Sequence, residues 1–524
     1  MTKTLALILA AASVGGAQVT YEQLLNPPPK DWLHYSGTYD SKRHSPLKQV
    51  HTGNVKHLVP KWMHHIRGAT RLESVPIVVD GVMYVSQPNE VYAYDARTGR
   101  VIWEYHRQSI RRGPNRGVAV YGNKVYMGTP DAMLIALDAR SGNLVWEAKL
   151  AEAEDGYWSP LAPLAINGKV IIGIAPGDHG LNGFLDAYDA ETGERLWRWK
   201  AIPEPGEPGN ETWAGDSWKT AGGDTWLTGS YDPELNLLYW GIGNPAPDFD
   251  GDVRKGDNLY TECMVALDAD TGKLKWYFQF TPHDLHDWDA VEIPILVDAP
   301  FNGKMRKLLV QANRNGFYYV LDRVTGEFLH GTPFINKLNW ATGLTETGRP
   351  IRVPGVEPTL TGNKVCPATA GATNWMSPAY SHETNLFYFV AQEGCGISYK
   401  ARDTWKPGGV PFMATGYIES PADPWQMYVR ALDLQTGKLV WEYEQIGSRR
   451  YGAGVLSTAG GLVFVGDDQG FLTALDAKTG KPLWYFNTGQ QITASASTFL
   501  VDGKQHIAIT AGSNVVVFGL HEAQ

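Results

Sequence analysis

The stretches "VYAYDARTGRVIWEY" (residues 91–105) and "LIALDARSGNLVWEA" (134–148) carry one phrase: an apolar strand, Asp, usually Ala, any residue, Thr or Ser, Gly, then Trp four residues after the Gly. It returns at Asp189–Gly193 with Trp197, Asp268–Gly272 with Trp276, Asp433–Gly437 with Trp441, and Asp476–Gly480 with Trp484. A variant copy at Asp322–Gly326 ends on His330. Asp and Gly at these offsets make a tight reversal, and the Trp falls on the outgoing strand. Neighbouring Asp positions lie 43 residues apart (95 to 138, 433 to 476), a period that suits a four-stranded antiparallel blade. The wider intervals 189–268 and 322–433 leave room for insertions and an eroded blade. Seven turns plus that blade predict an all-β chain folded as an eight-bladed β-propeller, each Trp docking one blade onto the next.

A chain of 524 residues would ordinarily divide into several domains. The repeats argue for one, because a single blade cannot bury its own faces and only the closed ring makes a core. Residues 1–17 read as a secretory signal: Lys3 at the start, an apolar core at 5–12, and the small residues Gly15, Gly16 and Ala17 before Gln18. The remaining 18–524 read as a single propeller domain, exported to the periplasm, with no later segment long and apolar enough to span a bilayer. A formal charge of −9 argues against nucleic acid or an acidic membrane as partner. Of three Cys, Cys263 in "ECMVALD" reads as a small buried hydrophobe. Cys366 and Cys395 flank turn-rich sequence and read as a disulfide in an exported chain, two free thiols being the alternative. No Cys-x-x-Cys-His occurs, so no c-type haem attaches to this chain.

Three stretches carry more polar and aromatic residues than a blade requires. "TPHDLHDWDA" (281–290) holds Asp284, Asp287 and Asp289 beside His283 and His286; "YWGIGNPAPDFDGD" (239–252) holds Asn244; "GIAPGDHGLNG" (173–183) holds Asp178. Each alone reads as a turn or a cap. Together they place oxygen ligands at strand ends that a propeller brings toward its axis, a set that specifies a hard cation such as calcium or a lanthanide.

With the repeats, "GIGNPAP", "PHDLHDWD", "NRNGFYYVLDR" and "GATNWMSPAY", the chain resembles the pyrroloquinoline quinone (PQQ)-dependent alcohol dehydrogenases of the methanol/ethanol type over essentially its whole length. The resemblance implies a quinone and its metal on the propeller axis and a disulfide at Cys366–Cys395. It implies Asp178 (where the family has Glu), Asn244 and Asp287 as metal ligands, Asp287 also as catalytic base, and Asp289 as the extra carboxylate of the lanthanide-dependent branch. Trp226 falls where the family stacks the quinone; Glu73, Arg116, Arg314 and Asn374 fall at quinone-contacting positions. Arg suits anionic oxygens because its fork holds two at once.

The departures from the family are local. Its adjacent Cys pair, which covers the second face of the quinone, is Ile110 and Arg111 here. Hydroxyl residues that bind the cofactor's carboxylates are Pro160 and Ala175, Asp224 stands where Thr is usual, and the pocket Trp is Asp248. Lost neutral donors and a gained carboxylate are expected to weaken the hold on an anionic cofactor. Two readings follow. One is a periplasmic enzyme that oxidises a small primary alcohol to an aldehyde with PQQ and calcium or a lanthanide, passing electrons to a separate cytochrome c. The other is a cofactor-free propeller of the same lineage acting as a binding or assembly scaffold.

Overall fold

The computed structural model describes residues 18–447 and 452–521; the signal read at 1–17 lies outside the described residues. The chain is a β-propeller. Each repeat phrase forms the reversal expected of it. In the first copy the Asp95 carboxylate accepts from the N–H groups of Arg97 and Thr98, both at 3.0 Å, and Gly99 takes a positive φ of 71°. The strands Glu90–Asp95 and Val101–His106 leave that turn as an antiparallel pair. Among the described residues, eight sheets contain four or five strands. A two-stranded pair (Ala341–Leu344 with Pro350–Arg352) and a three-stranded sheet (Asn363–Val365, Gly396–Lys400, Thr415–Glu419) fill the long interval after the His330 copy.

Tryptophan joins sheet to sheet, and a glycine makes room for it. A Cβ built on Gly142 would stand 2.5 Å from the Trp103 ring of the preceding sheet; Gly193 meets Trp146, Gly272 Trp197, Gly326 Trp276 and Gly480 Trp441 in the same way. The indole N–H then donates to a carbonyl of the next sheet, as Trp103 does to Ala139 at 3.0 Å and Trp441 to Ala477 at 3.0 Å. His330, in the variant copy, reaches the Thr436 carbonyl at 2.9 Å instead. The structure adds one joint that carries no repeat phrase: Trp62 packs on Gly99 and donates to the Ala96 carbonyl at 2.9 Å. Trp62 lies in Leu58–His65, which pairs antiparallel with Asn514–Leu520. The N- and C-terminal segments therefore meet in one sheet, with Leu58–His65 as its outermost strand. Trp484, of the last copy, meets Phe518 of that sheet with ring centroids 5.5 Å apart.

The N-terminal arm is fastened from within. His34 is buried and lies 2.8 Å from the Leu24 carbonyl, which requires a ring N–H as donor. Burial, against the pull of that carbonyl and of Asp40, lowers the His34 pKa to about 4. Because the folded value lies below the ordinary 6.5, His34 contributes stability that is present above pH 6.5 and is lost as the pH falls toward 4. The full contribution is about 3 kcal/mol. His34→Gln should therefore show a smaller loss of stability than wild type between pH 7 and pH 4 in urea unfolding. Parallel losses in both proteins would remove His34 from the account.

Cys263 is fully buried, as its strand phrase indicates. Cys366 and Cys395 form a disulfide, with Cα atoms 4.4 Å apart.

Candidate active site

The segments singled out in the sequence all lie between strands at one end of the ring. Asp178 occupies the turn after Lys169–Gly173; Asp224 and Trp226 precede Ser230–Asp232; Asp287 and Asp289 lie between Leu274–Gln279 and Ile295–Phe301; Arg314 follows Lys304–Ala312. With Glu73, Arg116, Ala175 and Asn374 they line one cavity of about 310 Å³. Three residues not assigned from sequence complete it: Arg71, Trp158 and Trp375. Trp375 directly follows Asn374 in "GATNWMSP", so the motif held it; Arg71 and Trp158 carry no signal of their own.

The loop 281–290 divides its aspartates by role. Asp284 accepts from the N–H groups of His286 (3.1 Å) and Trp288 (3.2 Å) and so fixes the loop. Trp288 turns into the core, fully buried, and donates to the Ala368 carbonyl at 3.0 Å. Asp287 and Asp289, on either side of it, face the cavity. His283 and His286 are held neutral: burial, then nearby arginines, lowers them to about 4 and about 3. The Cys366–Cys395 bridge anchors the start of the segment that brings Thr369, Asn374 and Trp375 to the cavity, and Arg314 donates to the Thr369 carbonyl at 2.8 Å.

One half of the cavity is acidic. Asp289 pairs with Arg314 at 2.5 Å and accepts from the Trp226 indole (3.2 Å) and the Asn244 backbone N–H (2.8 Å). Asp287 lies 3.6 Å from Arg314. Asp178 is exposed, but to the cavity and not to the outer surface; burial within the fold and the charge of Asp289 push it up to about 6, against His179 and Arg314. Burial raises Asp287 well above the carboxylate range against the pull of Arg314, and Asp289, Asp178 and Asp248 add to the rise. Asp224 is also raised well above the carboxylate range, by burial and then by Asp289 and Asp178. A Cβ on Gly243 would stand 1.9 Å from an Asp224 oxygen and 2.4 Å from an Asp289 oxygen, so glycine is what lets these two carboxylates crowd together. That Asp224 oxygen has no hydrogen-bond partner among the described residues.

Asn244 does not line the cavity with the acids. Its side-chain amide donates to Asp248 at 3.0 Å, and it reaches the site through its backbone N–H. Asp248 is fully buried against it. Behind the cavity Glu262 is also fully buried, with neither oxygen partnered among the described residues, and burial raises its pKa well above the ordinary value.

The other half is cationic and aromatic. Arg116 is buried between Trp226 and Trp375, its guanidinium 4.8 and 5.0 Å from their ring centroids. It pairs with Glu73 at 3.1 Å, yet its Nε and Nη1 have no hydrogen-bond partner among the described residues. Ile110, at the family's Cys-pair position, is 96% exposed, and neither Ile110 nor Arg111 lines the cavity. Pro160 offers only its carbonyl, which accepts from Arg116 N–H at 2.9 Å.

The residues present fit a planar anion beside a cation. Unpartnered guanidinium N–H groups between two indoles suit the anion. Crowded carboxylates with a spare buried oxygen suit the cation, which would restore their ionised form. Among the described residues no three of these acids bring ligand oxygens within 4.8 Å of one another.

Residues 32–333 match the family model described as glucose/ethanol/alcohol dehydrogenase, beta-propeller domain, and 426–522 match the model described as outer membrane protein assembly factor BamB. The chain is 40% identical to the quinoprotein alcohol dehydrogenase PedH of Pseudomonas putida, over 97% of this chain and 91% of that protein. It superposes on the quinohemoprotein alcohol dehydrogenase ADHIIG of Pseudomonas putida HK5 with a TM-score of 0.92 and 34% identity, covering 97% of this chain and 84% of that one. A europium-containing methanol dehydrogenase gives 0.87 and 31%, covering 95% and 100%. The fold and site define a β-propeller quinoprotein. The chain belongs to the PQQ-dependent alcohol dehydrogenase family.

Proposed function

We propose that this chain is a periplasmic PQQ- and metal-dependent dehydrogenase that oxidises a primary alcohol to the aldehyde and passes the electrons to a separate acceptor, a cytochrome c. The observation that carries this reading is the meeting of Asp178, Asp287 and Asp289 with Arg116, Arg314 and Trp226 around one cavity. The eight large sheets are taken as eight blades of one ring, and residues 18–524 as one domain exported by the segment 1–17.

Asp178, Asp287 and Asp289 would hold the ion, with Asn244 steadying Asp289 from its backbone and available as a further oxygen ligand. Asp289 adds negative charge, and Asp224 lies against it; more carboxylates around one ion favour a trivalent lanthanide over calcium. Arg116, Arg314, Glu73 and Asn374 would hold the quinone, with Trp226 against its face. When bound, PQQ supplies the acceptor for the hydride that leaves the alcohol carbon, and the ion supplies Lewis acidity. Asp287, as carboxylate, takes the alcohol's hydroxyl proton on a side-chain oxygen. Arg314 keeps it in place, donating to its backbone carbonyl and lying 3.6 Å from its carboxylate. The wall offered by Trp158, Trp226 and Trp375 excludes water from that transfer. Dye-linked oxidation of primary alcohols by protein reconstituted with PQQ and calcium or a lanthanide tests the reading.

A further inference from the structure

Away from the axial cavity, one cluster of side chains has the donor spacing of a metal centre. Ligand atoms of His44, His382 and Glu383 all lie within 4.8 Å of one another. The Glu383 carboxylate is 3.2 Å from His44 Nε2 and 3.5 Å from His382 Nε2. The two imidazoles meet edge to face with centroids 5.2 Å apart.

Two separate segments carry these groups, and a third supports them. His44 lies on the short strand His44–Ser45, which adds in parallel to Val455–Thr458. His382 and Glu383 sit in the turn between Ala379–Ser381 and Leu386–Glu393 of another sheet. The N-terminal arm touches both sheets: the Lys42 carbonyl accepts from Tyr380 N–H at 2.8 Å, and the Arg43 carbonyl from Ser457 N–H at 3.1 Å. His44 Nδ1 lies 2.9 Å from Ser457 Oγ. His44 Nε2–H donates to the Glu383 carboxylate at 3.3 Å; a cation displacing that proton, with Nδ1–H turned to the Ser457 hydroxyl, would give the second-sphere arrangement that orients a metal-binding imidazole.

We propose that His44, His382 and Glu383 bind a first-row divalent cation, zinc being the best match, which fastens the N-terminal arm to two sheets of the ring. Two imidazoles and one carboxylate are a borderline-soft set that suits zinc and its neighbours and not calcium or a lanthanide, so this site and the axial one select different ions. The nearby cation, Lys42, is paired with Asp40 at 2.6 Å. An ion bound only by the folded chain raises stability by mass action.

The test is titration of the full-length protein with zinc in excess calcium, which fills all-oxygen sites, followed by calorimetry and thermal unfolding. Wild type should bind one zinc and unfold at a higher temperature. His382→Ala, at an exposed position, should bind zinc roughly ten-fold or more weaker, an effect of about 1.4 kcal/mol, and lose the thermal gain. Glu383→Gln should do the same, and His382→Cys, which keeps a donor, should restore binding. Cobalt in place of zinc should give the visible bands of a nitrogen-ligated ion in wild type and not in His382→Ala. Equal zinc affinity in wild type, His382→Ala and Glu383→Gln, or no zinc binding by wild type, would overturn the proposal.

Discussion

Asp287→Asn is expected to lower alcohol turnover by roughly 10³- to 10⁴-fold, the scale of a lost general base, while the fold survives. The amide keeps the shape of the carboxylate but cannot accept the hydroxyl proton. Nothing structural opposes the exchange. Asp287 has a φ of 58°, a conformation Asn tolerates better than most residues. Its link to Arg314 through the backbone carbonyl is unaffected by the side chain. Removing one of several crowded buried carboxylates relieves repulsion. Dye-linked kinetics with circular dichroism on the same preparation check both halves of the statement. Turnover within a few-fold of wild type would show that another group takes the proton.

Asp224→Thr is expected to act in the opposite direction and tighten PQQ binding by about 30-fold, near 2 kcal/mol. The wild-type carboxylate is 6% exposed and lines the cavity, with one oxygen unpartnered among the described residues. An anionic cofactor entering beside it meets a like charge in a medium that screens poorly, or requires Asp224 to take up a proton. Thr removes the charge and offers a hydroxyl donor. The backbone bond from Gly243 N–H to the Asp224 carbonyl (2.8 Å) is left alone by the substitution, and the contact given up is the one from Gly177 N–H to the carboxylate (3.3 Å). Titration of tryptophan fluorescence with PQQ at fixed metal reads the change, Trp226 and Trp375 being in the cavity wall. Unchanged or weaker affinity in Asp224→Thr would mean that the Asp224 charge is already balanced, with the bound ion as its counter-charge.

The propeller was legible because its signal is local. Each reversal is closed by an Asp side chain and the next few N–H groups, and most joints by a Trp and a Gly at fixed spacing, so seven phrases announce seven turns. Trp62 makes the same joint from a strand without the phrase, since its sheet is assembled from both ends of the chain. No sequence window contains that pairing. The small sheets of the 341–419 region likewise lack the repeat.

The site was legible only through motif resemblance, since convergence on the axis is tertiary. Asp178, Asp287, Asp289, Trp226, Arg116, Arg314, Glu73 and Asn374 do share a cavity. Asn244 stands one step back, drawn aside by Asp248, a residue whose replacement of the family's Trp is visible in sequence but whose hydrogen bond is not. Asp284 shows the limit of reading acids by proximity. It sits in the same short stretch as Asp287 and Asp289, yet its carboxylate is spent on two backbone N–H groups. The burial of Glu262, with both oxygens unpartnered among the described residues, left no mark on its strand phrase "ECMVALD".

The central claim is that this cavity, with its altered quinone contacts, still forms a working dehydrogenase. Dye-linked alcohol oxidation by the purified wild-type chain measures it directly. The protein is reconstituted with PQQ plus calcium, PQQ plus a lanthanide, each ion alone, and PQQ alone. The account predicts aldehyde formation only when PQQ and an ion are both present, with the lanthanide the better partner because Asp178, Asp224, Asp287 and Asp289 crowd one cavity. No turnover of any primary alcohol in any combination, from protein that is folded and binds the ion, would contradict the claim and leave the chain as a scaffold built on an enzyme's fold.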